Sequence, residues 1–204
     1  MKSNIKFYMT PASPWSYLSM DRIEEISKSF KISVDLIPVD VFKLFEMQEI
    51  KMVSKRPLAI QKNRLRELER WRDYLQVKLN ITPKFFPVDP TKACKLIIAS
   101  QLCNPQEKEK TFFLTKKLSE AVWVDDLNIN DEDLIFDIAK KTEDIVKLKN
   151  YYFSDETDII LKSHTNDAFK QDIFGVPTFL YNNEIFWGQD RLFFLEKLIK
   201  KLNV

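Results

Sequence analysis

Strand-forming sequence occurs only at the two ends of this chain, and that limits the folds open to it. Residues 4–9 are a short apolar run. Residues 14–30 follow helical spacing, with Tyr17, Leu18, Ile23, Ile26 and Phe30 as inward candidates. Residues 33–39 alternate through Val34, Leu36 or Ile37, and Val39. A strand, a helix and a strand in about 35 residues make a βαβ unit, with parallel strands and a right-handed crossover. Strands return at Thr178 to Tyr181 and Glu184 to Trp187. Asn182-Asn183 between them suits a tight hairpin turn, because asparagine tolerates positive φ. Leu192, Leu195, Leu198, Ile199 and Leu202 then mark a helix over 191–202.

Between these halves, from about 41 to 170, the periodicity is helical. Leu65, Leu68, Trp71, Leu75 and Leu79 form one stripe. Leu96 and Ile97 anchor a second helix, Leu114, Leu118 and Val122 a third, and Leu134, Ile135 and Ile138 a fourth that starts at Asn130-Asp131. Breaks fall at Pro57, from Thr82-Pro83 to Pro90, and at Asn104-Pro105. The chain therefore reads as βαβ and ββα halves separated by an all-helical insertion.

Composition narrows the function. Thirty-two cations against 30 anions leave a net charge of +2, which favours neither nucleic acid nor an acidic partner. No apolar run is long enough to span a membrane. The start, Met1-Lys2-Ser3-Asn4, leads into an apolar run too short for a signal-peptide core, so a cytoplasmic location is expected. Cys94 and Cys103 are not spaced as a redox pair, and with one histidine in the chain they make no zinc site. No metal is expected. Both cysteines read as small core residues in a reducing compartment.

The segment Ser13-Pro14-Trp15-Ser16 opens the first helix. Serine caps free amides and proline is pre-set for the first helical position. The Ser13 hydroxyl is thus expected beside unpaired N–H groups at a positive helix end, where anions are stabilised. In a thioredoxin-like fold a Cys-x-x-Cys pair occupies this turn; here hydroxyls replace both sulfurs. The predicted fold is accordingly α/β and thioredoxin-like, with residues 1–40 plus 171–204 as the thioredoxin-like domain and 41–170 as the helical insertion.

Glycine occurs only twice, at Gly175 and Gly188, and both fall in the last 30 residues. Phe174-Gly175-Val176-Pro177-Thr178-Phe179 precedes the third strand. Val176-Pro177 is a candidate cis bond or an ordinary trans turn. In the cis case it would face the first helix start and turn the Val176 N–H and C=O outward, toward an extended peptide-like ligand. In Trp187-Gly188-Gln189-Asp190-Arg191, Asp190 is a candidate helix cap or a partner for a ligand's ammonium group. Gln189 is a hydrogen-bond donor, and Arg191 packs or pairs locally.

Taken together, these segments resemble the 2-hydroxychromene-2-carboxylate isomerases and the related kappa-class glutathione transferases. The resemblance runs over nearly the whole chain. It rests on Ser13-Pro14-Trp15-Ser16-Tyr17-Leu18, Arg66-Glu67-Leu68-Glu69-Arg70-Trp71, Phe85-Phe86-Pro87-Val88, Ala121-Val122-Trp123 with Asp125-Asp126, Phe174 to Phe179 and Phe186 to Leu192. It implies a glutathione-dependent isomerase, with glutathione as cofactor and an unsaturated or aromatic small molecule as substrate, assembled as a homodimer. Ser13 is similar to the serine that hydrogen-bonds the glutathione sulfur and is the implied catalytic residue. Val176, with Pro177, is similar to the backbone that pairs with the cysteinyl part. Trp187, Gly188, Gln189 and Asp190 are similar to the loop that holds the γ-glutamyl end.

The chain also departs from that family. Thr10 stands where an aspartate is common. The usual Gly-Asn segment is absent from the stretch Phe45 to Pro57, and an expected tyrosine is Asn63. Eight cations between Lys55 and Lys78 meet three anions; they read as a solvated helix face or, for some of them, as a hold for a substrate carboxylate. Phe85 and Phe86 are candidates for an aromatic pocket. Three functions stay open: the glutathione-dependent isomerase or a kappa-like transferase, a non-catalytic glutathione-binding protein, and a disulfide oxidoreductase. The last lacks cysteines at positions 13 and 16.

Overall fold

A computed structural model describes residues 4–202; the expectation for the leading Met1 to Ser3 lies outside the described residues. Four strands form one sheet in the order β2-β1-β3-β4: β1 is Ile5–Met9, β2 Val34–Pro38, β3 Thr178–Tyr181 and β4 Glu184–Trp187. The β1 and β2 strands pair in parallel, from Ile5 with Val34 to Met9 with Pro38. The β1–β3 and β3–β4 pairs are antiparallel. Phe7 and Phe179 face each other across β1 and β3, their rings stacked with centroids 4.7 Å apart. The hairpin turn is made by Asn182 and Asn183, at φ 50° and 64°. This is the thioredoxin fold with a helical insertion, as the order of elements predicts.

Helix α1 runs Pro14–Phe30 and buries Leu18, Ile23 and Ile26, with Tyr17 and Phe30 at the margin of the core. The insertion holds α2 (Val41–Met47), α3 (Leu58–Leu75), α4 (Thr91–Cys103), α5 (Lys108–Trp123), α6 (Glu132–Ala139), α7 (Ile145–Tyr152) and α8 (Asp155–Lys170). Asp131 caps α6 by accepting from the amides of Asp133 and Leu134. The α3 stripe ends earlier than its spacing predicts. Gln76 turns left-handed at φ 53°, so Leu79 is buried from a loop rather than from the helix. The final helix, α9 (Leu192–Leu202), also starts later than predicted, because a 3-10 turn occupies Gln189–Arg191.

One apolar core joins the sheet to the insertion. Ile5 and Phe7 of β1 lie in the same cluster as Leu96, Leu118 and Trp123 of α4 and α5. Cys94 and Cys103 are free and buried, and burial pushes the Cys94 thiol up to about 12. Among the described residues, no helix is long and apolar enough to cross a membrane.

Candidate active site

Ser13 caps α1. Its backbone is extended at φ −92° and ψ 119°, and its hydroxyl accepts from the Ser16 amide at 3.2 Å. The same hydroxyl donates to the Val176 carbonyl oxygen at 3.3 Å. Val176–Pro177 is cis, which resolves the choice between a cis bond and a plain turn. The sequence places both Val176 backbone groups toward a ligand. In the structure the carbonyl is already engaged by Ser13, while the Val176 N–H makes no hydrogen bond among the described residues. Ser16, in the first turn of α1, is fully buried, and its hydroxyl has no partner among the described residues.

The second loop is fixed to both halves of the site. The Gly188 amide donates to the Pro177 carbonyl at 2.9 Å. Gly188 sits at φ 106°, a region open to glycine, and a Cβ there would come within 2.6 Å of an Asp190 carboxylate oxygen. Asp190 therefore lies close over Gly188. It belongs to the 3-10 turn rather than capping α9, and it accepts from Arg191 at 2.6 Å. Gln189 is held from within the protein. It is only 2 % exposed, because the Arg22 guanidinium on α1 reaches over and donates to both its backbone oxygen and its Oε1, at 2.9 and 2.8 Å. Trp187 is half exposed and packs on Phe174 with centroids 4.7 Å apart.

All seven residues singled out from the sequence, Ser13, Val176, Pro177, Trp187, Gly188, Gln189 and Asp190, line one cavity of about 650 Å³. The start of α1 and the two loops line part of it. The rest of the lining comes from the insertion, including Phe45, Met52, Arg56, Asn63, Arg64 and Trp71. Phe86 also lines it, while Phe85 does not, being turned under the Lys84 ammonium 5.2 Å away. Phe86 is held by the fully buried Trp123, with centroids 5.1 Å apart, and the Trp123 indole donates to the Pro11 carbonyl at 3.2 Å. Thr10 faces the cavity too, and its hydroxyl lies 3.6 Å from the Cys94 sulfur.

Sequence reasoning misses Arg22. Its partner is 167 residues away, so nothing near it in the chain marks it. Arg56 and Arg64 are visible only as members of a charge run. Arg56 stands in extended backbone before Pro57 and Arg64 on α3, so no helical spacing joins them in the sequence; the fold brings both, with Ile60, onto the cavity.

The DSBA-like thioredoxin domain model matches residues 4–200. A 2-hydroxychromene-2-carboxylate isomerase from Pseudomonas sp. (strain C18) is 24% identical over 197 residues, covering 96% of this chain and 89% of that protein. One from Sphingobium xenophagum is 23% identical over 201 residues, covering 98% and 99%. Among solved structures, a 2-hydroxychromene-2-carboxylate isomerase matches with a TM-score of 0.80 at 22% identity, over 97% of this chain and 95% of the other. The cytosolic disulfide reductase DsbM from Pseudomonas aeruginosa matches with a TM-score of 0.66 at 10% identity, over 97% and 98%.

Proposed function

We propose that this chain, which belongs to the DsbA-like thioredoxin domain family, is a glutathione-dependent isomerase of the 2-hydroxychromene-2-carboxylate isomerase type. The observation that carries the proposal is the meeting of the Ser13 hydroxyl, the Val176 backbone and the Asp190 loop on one cavity that aromatic residues of the insertion also line. Nearly full-length similarity to isomerases of that name supports it. On this reading Val176 pairs with the cysteinyl backbone of glutathione. Asp190 receives the γ-glutamyl ammonium, and Gln189 shapes the loop that carries it. Ser13 donates to the glutathione sulfur.

A free thiol has a pKa of about 8.5, so it is mostly protonated near neutral pH. Lowering it by roughly two units requires about 2.7 kcal/mol. A charge-assisted hydrogen bond from Ser13 and the positive end of α1 suffice for that. The thiolate then adds to an unsaturated carbon conjugated to a carbonyl. The former double bond becomes free to rotate, and elimination of the same thiolate restores the unsaturation. Glutathione is regenerated, and Ser13 forms no covalent bond.

Dithiol–disulfide exchange by this chain is disfavoured by its own residues. Positions 13 and 16 are serines, and Cys94 is fully buried with its thiol held far from ionisation. A kappa-like transferase differs only in keeping the thioether, and a non-catalytic binder would use the same contacts. Titration calorimetry with glutathione, followed by turnover of a panel of enones, separates these. Catalytic cis–trans conversion without loss of glutathione is expected. No heat of glutathione binding would overturn the proposal. Binding with no turnover would favour the binder, and consumption of glutathione the transferase.

A further inference from the structure

Five charged residues line the cavity, and their pairing is uneven. Asp190 is paired with Arg191. Glu67 is paired with Arg70, which lies outside the cavity. Arg56 and Arg64 pair with no carboxylate among the described residues.

Each guanidinium is instead laid over an aromatic ring. Arg64 lies 4.7 Å from the Phe86 centroid and Arg56 5.5 Å from that of Phe45. Arg56 is further fixed by donating from Nε to the Lys51 carbonyl at 2.9 Å, whereas the Arg64 guanidinium makes no hydrogen bond to the described residues. Stacking immobilises the plane of a guanidinium and leaves its N–H edge available for a planar anion. A half-buried arginine with no acceptor is costly to keep. Burial, and secondarily the nearby charge of Arg56, hold Arg64 down to about 10.

The geometry points to a carboxylate subsite formed by Arg64 and Arg56 on the part of the cavity lining that the insertion supplies. The carboxylate belongs to a ligand whose apolar part lies against Phe86 and Phe45. Two ligands of the proposed reaction carry such a group: the C-terminal end of glutathione and an acidic unsaturated acceptor. The inference rests on the proposed function for that choice of ligands, but not for the subsite itself.

Two ligand pairs test it, each read by quenching of the tryptophan fluorescence of the cavity: glutathione against its glycine monoethyl ester, and cinnamate against cinnamamide. In the unaltered protein the acid of at least one pair should bind about tenfold more tightly than its neutral counterpart. Arg64→Met should abolish that difference, and Arg56→Met should reduce it. A difference in the first pair assigns the subsite to glutathione, one in the second to the acceptor. Equal binding within both pairs overturns the subsite, and so does a difference that survives in both variants. Should Arg64→Met fail to fold, the unaltered protein and Arg56→Met still decide. If no thiol binds while cinnamate is preferred over cinnamamide, the glutathione reading falls and the subsite stands.

Discussion

The Ser13 hydroxyl donates to the Val176 carbonyl oxygen at 3.3 Å, tying the start of α1 to a loop 163 residues further along the chain. One hydroxyl hydrogen and two lone pairs are all this side chain offers. The hydrogen goes to Val176 and one lone pair to the Ser16 amide. A sulfur anion accepting from Ser13 must take that hydrogen from a neutral carbonyl at a long distance, and a charged acceptor wins such a competition. On the proposed function, the site is held assembled by a bond that a thiolate would replace.

Ser13→Ala should therefore act mainly on the ligand's ionisation. Glutathione affinity is expected to stay near normal, because the backbone and loop contacts remain. The bound thiol's pKa should rise by roughly one to two units. Loss of the cap should lower stability by about 1 kcal/mol. Ultraviolet thiolate absorbance of the complex against pH measures the first effect. An unchanged titration would refute the role given to Ser13.

Arg22 is a positioning residue for the Asp190 loop. Its two bonds to Gln189 join α1 to the turn that carries Asp190, and in Arg22→Met the nearly buried Gln189 loses its donors. An unpaired buried acceptor costs about 1–3 kcal/mol. The loop should shift, and glutathione binding should weaken by about tenfold. Cysteinylglycine, which has no γ-glutamyl group for Asp190 to hold, should bind the variant as it binds the unaltered protein. Equal weakening for both ligands would mean that Arg22 supports only the fold.

Much of this architecture is legible in the chain. Local signals carry it: Ser13-Pro14 starts α1 at Pro14, and Asn182-Asn183 closes the hairpin at the predicted pair. The seven residues singled out from the sequence sit in short ordered motifs, and the fold brings them onto one cavity. What escapes is set by distant partners. Gln189 reads as a donor to a ligand, yet its backbone oxygen and Oε1 are engaged by Arg22. Val176 reads as a ligand-facing carbonyl, yet Ser13 occupies it. The end of α3 is misjudged because Leu79 keeps helical spacing while Gln76 leaves the helix. Burial of Leu79 sets its periodicity, and burial does not require a helix.

The scarcity of glycine leaves other residues in left-handed backbone. Lys31 ends α1 at φ 53°, with its amide donating to the Ser27 carbonyl. That conformation costs a side-chain-bearing residue about 1–2 kcal/mol, and glycine is the usual occupant. Lys31 is exposed. Lys31→Gly is therefore expected to stabilise the protein by about 1 kcal/mol, read as a higher urea midpoint with unchanged slope. No shift, or a loss, would show that Lys31 makes a contact worth as much as the strain.

His164, the single histidine of the chain, gives a direct pH test. Its Nδ1 lies 3.1 Å from the Pro38 carbonyl oxygen. Burial lowers its pKa, against smaller opposing effects from that carbonyl and from Asp167. The folded protein thus holds the proton less tightly than the unfolded chain, whose histidine titrates near 6.5. Between the depressed folded value and 6.5, the unfolded state binds more protons, so stability rises with pH through that window. Above 6.5 the histidine contributes no slope; below the folded value its full penalty is present. Two measurements follow. The imidazole resonances should titrate with a midpoint below 6.5. Denaturant unfolding should show stability lost as pH falls below 6.5, and His164→Gln should flatten that loss. A midpoint above 6.5 would mean that the Pro38 carbonyl and Asp167 outweigh burial, and the slope would then reverse.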